Sequence, residues 1–305
     1  MKKYFYVLLI ISLPIGFFIG FLVNHQKSFF GDELILQGKT LENKPYVINL
    51  QLNRKKHLGV SYLHYYSAYL SLNNSVYTSS TNFYSSTSQV KAKGFIKEFE
   101  NNKFTDLSAR EKYTLKLNVE GKDVIITADD LNSDFIVRNT PEYTKYISIG
   151  KALVSLEDST SPLSANTAVE KIYSNNYNKY VFPKGYESLK PETDYLAFWD
   201  KKNDFYLIDS TKISEANPDY PPHTWVLHKK NDGTIQKKFE ANVVYNKEAG
   251  QWQLNLPELN LNNTVLQAFD ISNTSTQSFI GRLEGKNSIS DISPSINGFF
   301  IKYFN

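Results

Sequence analysis

Apolar and polar positions alternate along most of this chain. Tyr113, Leu115, Leu117 and Val119 are interleaved with Thr114, Lys116 and Asn118; Glu120-Gly121-Lys122 then turns the chain, and Val124-Ile125-Ile126 returns. A period of two on either side of a turn predicts a β-hairpin, because successive strand side chains point to opposite faces. The pattern recurs near the end. Phe239, Ala241, Val243 and Tyr245 alternate with Glu240 and Asn242, Lys247-Glu248-Ala249-Gly250 turns, and Trp252, Leu254 and Leu256 return. Further strands are predicted at Val47–Leu52, Gly59–Leu72, Val76–Tyr84, Tyr146–Ser155, Tyr195–Asp200, Phe205–Ile213, Trp225–His228, Phe279–Leu283 and Gly298–Tyr303. Turn clusters such as Asn73-Asn74, Lys201-Lys202-Asn203-Asp204 and Asn231-Asp232-Gly233 separate them. After Val23 no segment keeps a helical period beyond about three turns. Short strands at regular spacing predict an all-β chain, either a sandwich or an up-and-down barrel.

The first residues break this pattern. Lys2-Lys3 precedes an uncharged run from Tyr4 to Val23. A helix needs roughly 20 mostly apolar residues to cross a bilayer core. The two lysines should stay cytoplasmic, placing the chain beyond Val23 outside the cell membrane. We therefore expect a signal anchor at 1–24, with membrane contact through residues 4–23. A cleaved signal peptide, which would make the chain secreted, is the competing reading. Asn24-His25-Gln26-Lys27-Ser28-Phe29-Phe30 offers no small-x-small cleavage site for it.

Downstream, Phe182-Pro183-Lys184-Gly185-Tyr186-Glu187-Ser188-Leu189-Lys190-Pro191 has the composition of a linker. It predicts a first β unit at 25–182, a linker at 183–194 and a second β unit at 195–305. Both units contain strands with clustered aromatics: Tyr62, Tyr65, Tyr66 and Tyr69 in one, Tyr195, Phe198 and Trp199 in the other. That likeness reads as a duplication; one continuous β domain is the alternative.

Composition removes several chemistries. Without cysteine there is no disulfide, thiolate metal site or cysteine nucleophile. The net charge is +3, and arginine occurs only at Arg54, Arg110, Arg138 and Arg282, with no basic stripe. Nucleic acid is therefore not an expected partner. There is no phosphate-binding glycine loop and no GxSxG elbow, so no cofactor is expected. His223 and His228 are an odd number of residues apart, on opposite faces of a strand, which does not make a metal site. Oligomeric state is left open.

The aromatic residues are the remaining resource. Trp199, Trp225 and Trp252 fall in predicted strands, where they are either core or the walls of an apolar pocket. His64 shares a strand face with Tyr62 and Tyr66, which makes it a candidate orienting group or base, or simply a satisfied core histidine. The ligand-contact set read from these residues is His64, Tyr66, Trp199 and Trp225, holding an apolar or amphiphilic small molecule.

One segment carries a family likeness. The strand Tyr146–Leu156, with Tyr146 and Ser148, leads through a loop to Thr167-Ala168-Val169-Glu170-Lys171-Ile172-Tyr173. This resembles the central signature of the AttH-like and carotenoid 1,2-hydratase (hydroxyneurosporene synthase) proteins. There a Tyr-Ser strand leads to Ala-Trp-hydrophobe, then an acidic residue, histidine, any residue and tryptophan. Trp199-Asp200 with Phe205-Tyr206-Leu207, the Asn231-Asp232-Gly233-Thr234 hairpin and the ending Gly298-Phe299-Phe300-Ile301 resemble later parts of that family in the same order.

The resemblance implies two lipocalin-like β-barrels in tandem. It also implies water addition across an isolated double bond, with Glu170, Lys171 and Tyr173 at the catalytic positions. Lys171 replaces the family's histidine, Tyr173 its second tryptophan and Ala168 its first. Three functions are compatible with these features, since one fold hosts many. The first is a membrane-tethered, extracytoplasmic module binding an apolar or amphiphilic molecule. The second is a hydratase- or isomerase-like enzyme on a lipid-like, isoprenoid-type substrate, with Glu170 as acid and Tyr173 or His64 assisting. The third is an interaction domain with filled barrels.

Overall fold

Tight turns set the registers. Asn73 and Asn74 both take left-handed φ values of 53° and 61°, and Glu120 and Gly121 take 49° and 83°. Two successive positive-φ residues match the right-handed twist of the strands they join. The computed structural model describes residues 29–57, 61–85, 91–92, 95–99, 113–140, 143–156, 161–174, 192–212, 223–238, 241–259, 261–275, 278–286 and 296–303. Among them the only helical turn is a 3₁₀ turn at Pro257–Leu259. None of the described helices is long and apolar enough to cross a membrane, and the predicted anchor Tyr4–Val23 lies outside the described residues.

The strands form two antiparallel sheets. The first contains β1 (Phe29–Lys39), β2 (Pro45–His57), β3 (Ser61–Leu72), β4 (Ser75–Ser85), β5 (Lys91–Ala92), β6 (Phe95–Phe99), β7 (Tyr113–Val119), β8 (Lys122–Thr140), β9 (Tyr143–Leu156) and β10 (Leu163–Ser174). The second contains β11 (Thr193–Trp199), β12 (Phe205–Thr211), β13 (His223–Lys229), β14 (Ile235–Lys238), β15 (Asn242–Asn246), β16 (Gln251–Leu256), β17 (Leu261–Ser275), β18 (Ser278–Lys286) and β19 (Asn297–Tyr303).

Their orders follow one rule. The first sheet runs β4-β3-β2-β1-β10-β9-β8-β7-β6-β5, the second β14-β13-β12-β11-β19-β18-β17-β16-β15. In each, the first strand pairs with the last, every neighbour but one is sequential, and the ladder is interrupted after the fourth strand. This shared rule supports the duplication read from the aromatic strands.

Strand alternation then sorts the side chains into three layers. Leu34, Leu36, Tyr46, Ile48 and Leu70 pack inside the curl of the first sheet. Leu196, Phe198, Tyr206, Trp252 and Phe300 pack inside the second. The intervening positions form a third layer where the sheets meet. Ile35, Val47, Ile147, Ile149 and Ala168 come from the first sheet, and Tyr195, Ala197, Trp199, Leu207, Trp225 and Phe299 from the second. β11 is consequently buried on both faces.

A polar latch spans the same boundary. Tyr69 Oη donates to the Asp270 carbonyl at 2.6 Å, and Ser71 Oγ donates to Asp270 Oδ2 at 2.6 Å. Arg282 Nε donates to the same Oδ2 at 2.8 Å. Asp270 has φ 50° beside a register shift in β17, which turns its carboxylate toward the other sheet.

Close approach of strands fixes one glycine. Gly298 faces Phe198 across the β11–β19 ladder. A Cβ there would lie 2.2 Å from the Ala197 carbonyl oxygen and 2.4 Å from Phe198 Cβ. The obstruction is largely backbone, so it has nowhere to move. Gly298→Ala is expected to cost about 2–3 kcal/mol by overpacking, read as a lowered urea midpoint with an unchanged slope. An unshifted midpoint would contradict this packing.

Candidate functional site

Charged side chains sit in the apolar layer between the sheets. On the first sheet, register places Glu33 opposite Glu170 on one side and Gln51 on the other, with Ile35 opposite Asn49. Lys145 lies on the adjacent strand, two positions from Ile147, which is the partner of Glu170. On the second sheet Tyr195, Asp209 and Trp225 form one cross-strand row. Two polar rows thus face each other, contributed by seven strands.

The contacts are close. Lys145 Nζ is 2.9 Å from Glu170 Oε2 and 3.7 Å from Asp209 Oδ2. Its ammonium lies 5.0 Å from the Tyr195 ring centroid and 5.3 Å from that of Trp225, within cation–π range. Asn49 Nδ2 donates to Glu33 Oε1 at 2.7 Å, and Gln51 Nε2 donates to the same oxygen at 3.2 Å. Glu170 and Lys145 are almost fully buried, with 1% and 5% of their side-chain surface exposed. Asp209 and Glu33 retain some solvent contact, so the cluster is open along one edge.

Electrostatics separates the two glutamates. Burial raises the Glu33 pKa from 4.5 to about 7; the Glu170 charge adds to the rise, and the bond from Asn49 and the charge of Lys145 oppose it. Burial also raises Glu170, and there Lys145 is the main opposing influence, with Tyr195 helping. Burial, then the Glu170 charge, holds the Tyr195 hydroxyl far above its ordinary value, so it remains a proton-bearing donor. Glu170 is held by Lys145 of its own sheet at 2.9 Å and by the Tyr195 hydroxyl of the facing sheet, so its carboxylate bridges the two walls.

The residues singled out in the sequence divide between layers. Glu170 and Trp225 meet in this cluster through Lys145. Trp199 is in the same layer but packs on Phe205, with ring centroids 4.7 Å apart. Lys171 and Tyr173 lie on the same strand as Glu170, β10. His64 and Tyr66 lie on β3. The two tryptophans therefore line the junction of the sheets rather than a barrel interior. His228 is buried against Asp204 Oδ2 at 3.3 Å and Gln236 Oε1 at 3.1 Å and stacks on Tyr206. Sequence reading missed Glu33, Lys145 and Asp209, the groups that give the cluster its chemistry.

No protein-family model matches the chain, and no curated protein sequence does. Solved structures do share its fold. It is similar to a protein of Nitrosomonas europaea described as a candidate AttH, with a TM-score of 0.60 at 8% identity over 91% of this chain and 93% of that one. It is similar to kievitone hydratase of Nectria haematococca, with a TM-score of 0.56 at 10% identity over 91% and 89%. At these identities the likeness is one of fold, and it agrees with the all-β architecture of two curled sheets.

Proposed function

We propose that this protein is an acid–base enzyme that adds water to, or shifts, a carbon–carbon double bond in an apolar, isoprenoid-type molecule held where the two sheets meet. The observation that carries this reading is the pairing of Glu33, protonated up to about pH 7, with Glu170 beside Lys145. Two neighbouring carboxyls with different environments divide the roles of acid and base. Glu33 gives its proton to one alkene carbon, the π electrons forming the new C–H bond. The neighbouring carbon becomes electron-poor. Three carboxyls, Glu33, Glu170 and Asp209, face a single ammonium there, so the surplus is negative and suits developing positive charge. The Tyr195 and Trp225 rings add their electron-rich faces. Water then attacks that carbon and passes its proton to a carboxylate; alternatively an adjacent C–H proton leaves to the carboxylate and the double bond has moved. One fold neighbour is named a hydratase, which supports the same class.

The proposal includes placement. Lys2-Lys3 and the apolar run Tyr4–Val23 tether two lipocalin-like barrels, at 25–182 and 195–305, outside the cell membrane. A binding module without chemistry is the second reading, favoured by the substitutions Lys171 and Tyr173 in the family-like motif.

The test is isotopic. Purified protein is incubated in D₂O with a panel of isoprenoid alkenes and tertiary alcohols, and mass spectrometry follows deuterium entry and gain or loss of water. Turnover should appear with at least one member and be lost in Glu33→Gln. Retention of ligand with no exchange in any member would instead favour the binding module.

A further inference from the structure

Lys145 belongs to the first sheet, yet its ammonium reaches into the second. Tyr195, Asp209 and Trp225 are in register on β11, β12 and β13, so their side chains leave the same face, with Asp209 in the middle. Lys145 Nζ lies 5.0 Å and 5.3 Å from the two ring centroids and 3.7 Å from Asp209 Oδ2. Two aromatic rings flanking a carboxylate make a seat shaped for a cation. On its own sheet Lys145 pairs with Glu170, at 2.9 Å.

Where that ammonium rests decides how Glu33 behaves. Glu33 is the cross-strand partner of Glu170. An ammonium lying flat on the first sheet, between the two glutamates, would favour ionisation of both. Drawn toward the second sheet, it still pairs with Glu170 but acts on Glu33 less strongly than Glu170 does. Around this group β2 contributes neutral Asn49 and Gln51. β8 places Arg138 in register with Lys145, and β13 carries His223 two positions before Trp225.

We propose that Asp209 is a positioning residue: with the rings of Tyr195 and Trp225 it seats the Lys145 ammonium on the second sheet and keeps it off Glu33. For its meaning in turnover this rests on Glu33 as the acid of the proposed reaction, but the seat is measurable without substrate.

The test follows Glu33 itself. Full-length protein is labelled with [δ-¹³C]glutamate, which leaves aspartates silent, and the Glu33 signal is assigned by its loss in Glu33→Gln. Asp209→Asn removes the charge and keeps the shape, so the ammonium moves toward the first sheet and the Glu33 midpoint should fall by about one pH unit. Asp209→Glu keeps the charge and should keep the wild-type midpoint. Trp225→Leu takes away one ring and no charge, and should move the midpoint in the same direction as Asp209→Asn. In the Lys145→Met/Glu170→Leu background, Asp209→Asn should move it by less than about a third as much, because the residue through which it acts is gone. An unmoved midpoint in folded Asp209→Asn overturns the proposal. So does an equal fall in Asp209→Glu, which would be lost packing, or a full shift without Lys145, which would be direct repulsion between carboxylates. Turnover gives a separate reading: the alkaline limb of the rate profile should move down with the midpoint, since Glu33 works protonated. Absence of turnover in the wild type sinks the acid–base reading and leaves the midpoints to decide the seat.

Discussion

Lys145→Met is expected to lower the stability of the protein by about 3–5 kcal/mol, the usual effect of removing one partner from a buried ion pair. Lys145 and Glu170 are both almost fully buried and 2.9 Å apart, and no other cation is in contact with Glu170 among the described residues. Methionine matches the length of the lysine stem and keeps its packing, so the loss isolates the charge. Two controls separate this from general damage. Lys145→Met/Glu170→Leu should recover most of the loss, since apolar replacement of a whole buried pair is often neutral. The single variant should also recover as pH falls, because protonated Glu170 needs no partner. Guanidinium chloride midpoints measure all three proteins. A loss below about 1 kcal/mol, which is the scale of an exposed pair, would mean that water reaches this pair.

Glu33→Gln should have the second large effect, on the pH dependence of stability and on turnover together. The folded-state pKa of Glu33 is raised from 4.5 to about 7. A raised carboxyl binds its proton more tightly in the folded protein, so the stability it contributes is complete below about pH 4.5 and lost as pH rises through 7. For a group with partial solvent contact we expect on the order of 2 kcal/mol across that window. Glutamine keeps the acceptor for Asn49 and cannot ionise, so the variant should be nearly flat from pH 4.5 to 7 and more stable than wild type above it. Turnover should fall by about 10²–10⁴, the usual worth of a general acid. A variant that keeps the wild-type slope would place the titrating group elsewhere.

The fold was legible where one rule sufficed. The hairpin of Tyr113–Val119 and its return strand could be read directly, because alternation and a two-residue turn agree there. β8 was harder. Asp129-Asp130-Leu131-Asn132-Ser133-Asp134 has loop composition, yet it continues a 19-residue strand through several register shifts. Bulges break the period of two on which the reading depends.

The site was legible only in part, for a different reason. A charged residue among alternating apolar ones reads as solvent-facing, so Glu33 beside Leu34, and Lys145 beside Tyr146, look like outer positions. Each sheet here is covered on its outer face by the other, and those outer positions are the interior of the junction. The signal was present: Glu33 belongs with Ile35, Lys145 with Ile147 and Ile149, and Asp209 with Leu207, all apolar sets. Glu170 was found through family likeness rather than through alternation.

The pairing of first strand with last also sets an order of assembly. β1 meets β10, and β11 waits for β19, which comes after every other strand of its sheet in the chain. Closing both rings therefore requires contacts across nearly the whole length of each half, a topology that folds slowly. Until β19 docks, the outer face of the first sheet, with Glu33, Lys145 and Glu170, remains in water and their proton affinities stay ordinary. β19 is only seven residues long, yet a chain arrested before it has no low-dielectric chamber in which a glutamate holds its proton at neutral pH.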